Sequence, residues 1–293
     1  MLIYLFYYMS EKKSFFASLD SKSALIVGLV SGVLVICTIG FLVMLGLYFS
    51  NKTTTVAKAT APAADVANAP SAQQAAPQPV AVTKSDRPKV ELFVMAYCPY
   101  GLQMEKAYLP AWDLLKAKAD IDVKFVSYAM HGQKEVEENT RQYCLEKDQS
   151  AKYQAYLKCF TGSGDYKSCL GQVGLSDASL STCIAATNKT YKIMDLFKDQ
   201  TTWLSGQYPQ YPIYADLNTK YGVQGSPTLV INGAQVDNVN RTAESVKEAI
   251  CSSFNNPPAE CQQTLTNASY QPGFGYEAAA AGAGANAGAA CGS

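Results

Sequence analysis

Hydrophobic and polar positions divide the chain into stretches of different character. Residues 24–49 are apolar without one charge, longer than the ~20 residues a membrane-spanning helix needs. Lys12, Lys13 and Lys22 precede the run, and Lys52 and Lys58 follow it. That bias predicts an uncleaved transmembrane signal anchor with residues 1–23 cytoplasmic. A cleaved signal peptide is the alternative, with Ala57-Lys58-Ala59 as its cleavage site. The apolar run, however, exceeds the roughly 7–15 residues of such a peptide's hydrophobic region. Residues 50–87 are rich in Ala, Thr, Pro, Val and Gln and read as a linker too poor in large apolar side chains to build a core.

From 88 to 267 the pattern is that of a folded α/β domain. Val90–Ala96 reads as a buried strand, Leu102–Ala119 as a helix kinked at Pro110, and Asp122–Tyr128 as a second strand. Strand, helix, strand in that order predicts a right-handed parallel unit. Residues 132–199 then carry helical spacing, at Glu135–Lys147, Ala151–Phe160, Tyr166–Gly171 and Ser176–Thr187. This segment reads as a helical insertion between two halves of the sheet. Tyr214–Tyr221 is a short helix, and Thr228–Ile231 with Ala234–Val236 makes a hairpin around Asn232-Gly233. Thr242–Phe254 closes the domain with Val246, Ala249 and Ile250 on one face. Residues 268–293 form a Gly/Ala-rich tail with the composition of a disordered segment.

Composition narrows the chemistry. The net charge is zero, so neither nucleic acid nor an acidic surface is implied as a partner. The single His rules out a His-rich metal centre, and the absence of close Cys-x-x-Cys pairs argues against a zinc ribbon. Nine cysteines point to an oxidising compartment. With the anchor, they predict a single-pass membrane protein whose domain lies on the extracytoplasmic side, whether periplasmic, extracellular or lumenal.

The candidate centre is Tyr97-Cys98-Pro99-Tyr100-Gly101, between the first strand and its helix. A cysteine there meets helix N–H groups and the positive end of the helix dipole, which favour a thiolate. Pro99 suits the first helical turn. The plain alternative for Cys98 is a buried cysteine packing as a small hydrophobe. Downstream, Gly225-Ser226-Pro227-Thr228 enters the hairpin. A strand–Cys-turn–helix followed by Ser-Pro-Thr and a hairpin resembles the thioredoxin fold, which implies a cis Ser226–Pro227 bond whose loop faces Cys98 and aligns substrate backbone. The alternative is an ordinary X-Pro turn.

Cys144, Cys159, Cys169 and Cys183 all fall in the insertion, and four cysteines allow three pairings. Of these, Cys144–Cys183 around Cys159–Cys169 would staple an antiparallel helical array at both ends. Cys251 and Cys261 bracket Asn255-Asn256-Pro257-Pro258 and suit a local bridge. Cys98 and Cys291 then remain outside the membrane run. A tail of about twenty residues has a reach on the order of 25 Å, so the two can meet; equally, Cys291 can stay free or pair between chains.

The run Ala129-Met130-His131-Gly132-Gln133-Lys134-Glu135 through Asn139 to Cys144 resembles the signature of the gamma-interferon-inducible lysosomal thiol reductase family, with His131, Gly132, Glu135, Asn139 and Cys144 in register. Ala129, Met130 and Val136 depart from it. The later Cys spacing and the Ser-Pro-Thr turn are similar to that family too. DsbA-like oxidoreductases share the architecture. The resemblance implies a thioredoxin-like domain with a disulfide-stapled helical insertion, preceded here by one transmembrane helix, that reduces protein disulfides without a cofactor. Gly101 stands where the fuller family pattern has a second cysteine. A lone Cys98 needs another thiol to resolve its mixed disulfide: a small-molecule thiol, a redox partner protein, or Cys291. His131 either tunes Cys98 or caps the insertion with Glu135 or Asn139. Tyr97 and Tyr100 either form an aromatic lip for peptides or are plain surface aromatics. The expected function is thiol–disulfide exchange, by reduction or isomerisation, on disulfide- or thiol-bearing proteins. A catalytically inactive binding module at the cell surface is the first alternative, and a disulfide-stapled stalk the second.

Overall fold

The computed structural model describes Thr38, residues 82–279 and residues 289–292. The expected cytoplasmic segment, the anchor and most of the linker lie outside the described residues. Among the described residues no helix is long and apolar enough to cross a membrane.

β1 (Lys89–Val94) pairs in parallel with β2 (Asp120–Phe125) across the crossover helix α1 (Pro99–Leu115). β3 (Thr228–Ile231) pairs antiparallel with the other side of β1 and with β4 (Ala234–Gln235). The sheet order is β2-β1-β3-β4, and α7 (Ala243–Ser252) follows β4. A parallel β-α-β unit joined to an antiparallel β-β-α unit in this order is the thioredoxin-like topology. β1 is central, so both its faces are covered. Leu92 and Val94 join Val123, Phe125 and Ile231 in the main core, while Phe93 and Met95 pack with Val126 and Val230 on the reverse. This is why its sequence is a continuous apolar run rather than an alternation. At the hairpin, Asn232 (φ 49°) and Gly233 (φ 84°) both take positive φ, as the tight primed turn requires.

The insertion is helical: α2 (Gln133–Ser163), α3 (Tyr166–Gln172), α4 (Asp177–Tyr191) and α5 (Ile193–Lys198), followed by α6 (Ala215–Tyr221). The two helices expected over 135–160 are both present within α2, joined at a kink where Gln149 leaves helical geometry (φ −138°, ψ 37°). Cys144–Cys183 ties α2 to α4, Cys159–Cys169 ties α2 to α3, and Cys251–Cys261 ties α7 to the turn after it. The nested pairing is the one the structure holds.

Two boundaries differ from the sequence reading. The expected linker ends before Arg87, because Ser85 N donates to Ser253 O and Asn255 N to Ser85 O, both at 2.9 Å. The tail expected from residue 268 is packed in its described parts. Phe274 stands edge-on to Tyr97 and Phe160, and Lys106 Nζ donates to the carbonyls of Gln271, Gly273 and Gly275 at 2.8, 2.8 and 2.6 Å. Composition missed this because the anchoring comes from one aromatic ring and from backbone carbonyls.

Candidate functional site

The chain leaves β1 through a tight turn into α1. Cys98 is the N-cap residue of α1, and its Sγ accepts from Gly101 N at 3.3 Å. Pro99 occupies the first helical turn, where no N–H is needed. The N–H groups of the turn are held by side chains from distant elements. Met95 N donates to Ser226 Oγ (2.9 Å), Ala96 N to Asn139 Oδ1 (3.0 Å) and Tyr97 N to Glu135 Oε2 (3.2 Å). Glu135, Asn139 and Ser226 are all fully buried, so these bonds satisfy groups that would be costly to leave unpaired.

Facing the turn is the loop before β3. Its Ser226–Pro227 bond is cis, and Thr228 Oγ1 donates to Gly225 O at 2.8 Å. Cys98 Sγ lies 3.3 Å from Ser226 O, so residues 98 and 226 share one end of the sheet. The same loop closes position 101. A Cβ on Gly101 would sit 2.5 Å from Ser226 Oγ, closer than side-chain atoms pack. A second cysteine of a Cys-x-x-Cys centre would have to displace that hydroxyl, and with it the bond from Met95 N.

Cys98 is bonded to Cys291 (S–S 2.07 Å), 193 positions away in sequence. The tail is also held through its backbone. Ser226 N donates to Cys291 O at 2.9 Å, and Cys291 N to Ser226 O at 2.7 Å, a complete antiparallel bridge. Gly225 and Gly292 pass so closely that a Cβ on the first would strike Gly292 O and one on the second Tyr128 Oη. Tyr128 Oη itself donates to Gln224 O at 2.6 Å. On the other side, Arg241 donates to Ala289 O and, through Nη1, to Gln103 Oε1 at 2.9 Å. Under this cover Cys98 is fully buried.

His131 is paired with Glu135, Nδ1 to Oε2 at 2.6 Å, and among the described residues no hydrogen bond joins it to Cys98. It sits one carboxylate removed from the turn, because Glu135 also receives Tyr97 N. Tyr97 is wedged between Phe160 and Phe274 with Lys134 Nζ 4.5 Å from its ring centre. Tyr100 lies under the Arg241 guanidinium at 5.2 Å. Within α1, burial pushes the Glu105 carboxyl up to about 8, the Glu138 carboxylate adding to the shift and Lys106 opposing it. Desolvation likewise lowers Lys106 to about 8. Among the described residues no group of three or more His, Cys, Asp or Glu is arranged to hold a metal ion.

Glu135 and Asn139 are in the signature quoted from the sequence, but nothing there shows that they hold the turn before Cys98. Arg241 and Tyr128 carried no signal of a role; each acts on backbone atoms of a segment remote in sequence.

No protein-family model matches the chain, and no curated protein does. Among solved structures it is similar to oxidised DsbA of Mycobacterium tuberculosis (12% identity, 61% of this chain and 94% of that one, TM-score 0.42). BdbD of Bacillus subtilis, also oxidised, is 18% identical over 60% of this chain and 92% of that one, with a TM-score of 0.39. A thioredoxin-like oxidoreductase from Silicibacter pomeroyi is 20% identical over 52% of this chain and 78% of that one, TM-score 0.33. Likenesses at this level add nothing to the topology already described.

Proposed function

We propose that the chain is a thiol–disulfide oxidoreductase acting on protein disulfides through Cys98. The observation that carries the reading is the placement of Cys98 Sγ: at the N-terminus of α1, 3.3 Å from Ser226 O, and joined in a disulfide to a strand that pairs with Ser226. The helix end favours the attacking thiolate. Ser226 offers one N–H and one C=O to a peptide strand, which fixes a substrate cysteine by main-chain bonds and leaves its neighbours free to vary. Tyr97, Pro99, Tyr100 and Gly101 shape the turn, and Pro227 and Thr228 shape the facing loop. No cofactor is called for; a thiol reductant resets the centre.

Placement at a membrane, with residues 24–49 as a single anchor and the domain extracytoplasmic, belongs to the same proposal and rests on the apolar run and the cysteine content. So does a relation to the gamma-interferon-inducible lysosomal thiol reductase family, supported by Glu135 and Asn139, which match its signature and hold the turn before Cys98.

In the reaction, the Cys98 thiolate attacks one sulfur of a substrate disulfide, forms a mixed disulfide, and releases the other sulfur as a thiolate. The test is insulin reduction by the purified chain with added thiol. Cys98→Ser is expected to lose roughly a hundred-fold or more of the activity. Retention of wild-type activity by that variant would remove Cys98 from the reaction.

The burial and bonding of Cys98 favour one other reading, a structural staple with no exchange chemistry. The two part on reducibility: a staple stays closed in the folded protein under mild thiol, while a redox centre opens.

A further inference from the structure

We infer that Cys291 is the resolving thiol of this centre, so that Cys98 and Cys291 make one two-electron couple assembled from the two ends of the folded domain. The inference rests on the oxidoreductase reading above and replaces an external resolving thiol with one in the same chain. Three observations carry it. First, position 101 is Gly and carries no sulfur, so the resolving sulfur must come from another segment. Second, the other six described cysteines are bonded to one another, which leaves Cys291 as the partner present. Third, the tail is not held by its sulfur alone. Both backbone groups of Cys291 pair with Ser226, Arg241 takes Ala289 O, and Gly292 fits against Tyr128 where no side chain would.

Such a cradle reads main chain rather than side chains, and its Ser226 N–H and C=O serve one strand at a time. Substrate and tail therefore take turns there. With the couple reduced, the tail withdraws and a substrate disulfide is attacked by the Cys98 thiolate. One substrate sulfur leaves as a thiolate, and the other is held on Cys98. The tail then returns to Ser226, and the Cys291 thiolate attacks Cys98 Sγ. The Cys98–Cys291 bond forms, the Cys98–substrate bond breaks, and the second substrate sulfur leaves as a thiolate that takes a proton from water. The substrate disulfide has gained two electrons and the Cys98/Cys291 pair has lost two. A dithiol reductant returns the pair to its starting state by the reverse exchange. Run backwards, the same steps oxidise a substrate dithiol.

The test uses the full chain equilibrated in mixtures of reduced and oxidised glutathione, quenched with acid and read by intact mass and peptide mapping. Two glutathione molecules reduce the internal bond to a dithiol and leave as one glutathione disulfide. Wild type is expected to pass between dithiol and internal disulfide with little glutathione held on Cys98. Cys291→Ser is expected to hold roughly ten-fold more of that adduct. In insulin reduction at limiting glutathione it is expected to turn over roughly ten-fold more slowly, with excess glutathione restoring the rate. Gly292→Val keeps both sulfurs but collides with Tyr128; it is expected to need less glutathione to open the internal bond. Equal adduct and equal turnover in wild type and Cys291→Ser, with wild type active, would overturn the inference while leaving the role of Cys98 intact. An internal bond that glutathione does not open, in a protein inactive on insulin, would overturn both.

Discussion

The insertion and the end of the sheet each hold their sulfurs in a different way. Cys144–Cys183, Cys159–Cys169 and Cys251–Cys261 join residues 39, 10 and 10 positions apart; the last two link a helix to the element after it, and the first links α2 to α4. Cys98–Cys291 spans 193 positions and ties a helix N-terminus to a strand lying across a loop. The first three sit among groups whose own packing would keep them adjacent. The fourth joins the turn before α1 to a segment bridged main chain to main chain with Ser226. On the function proposed above, closeness in sequence serves the stability of the helical array and distance in sequence serves exchange, because a remote partner can leave without unravelling the element that holds Cys98.

The sharpest way to break that comparison is a timed reduction of the folded chain with a mild thiol, followed by alkylation and peptide mapping. The Cys98–Cys291 bond is expected to open roughly a hundred-fold faster than any of the other three. Simultaneous opening of all four would erase the distinction. Replacing Cys144 and Cys183 together by Ala is expected to lower unfolding stability by about 3–4 kcal/mol in urea, with alkylation of Cys98 after mild reduction unchanged. A parallel change in Cys98 reactivity would mean that the insertion tunes the centre.

A smaller effect concerns the helix between the two regions. Glu105 is buried, its carboxyl pushed up to about 8 from 4.5, so between those values the folded chain holds a proton that the unfolded chain has released. Stability therefore falls as pH rises through this window, by up to about 1.4 kcal/mol per pH unit from this group. Glu105→Gln is expected to flatten that slope in urea titrations from pH 5 to 8, as read by circular dichroism. An unchanged slope would assign the pH dependence to other groups.

The sheet and its helices were legible in the sequence because their signals are local. β1 shows itself as an apolar run, the Asn232-Gly233 turn names its hairpin, and Val246 and Ile250 mark the buried face of α7. Cys98 was legible through its strand-to-helix position, and the loop of Ser226 through its resemblance to a known fold. What holds them was not. Met95, Ala96 and Tyr97 donate through backbone N–H groups to Ser226, Asn139 and Glu135, and a backbone donor leaves no trace in residue type. Cys291 stood out only as a cysteine left over from the other pairings, because its docking to Ser226 is again main chain to main chain. The packing of Phe274 and the carbonyls around Lys106 were invisible for the same reason, in a segment whose composition reads as unstructured.

The contact between position 101 and Ser226 Oγ also bears on how this chain can change. A thiol placed at 101 meets that hydroxyl and has to turn it aside. Gly101→Cys, alone or beside Ser226→Ala, therefore costs the hydroxyl position that receives Met95 N.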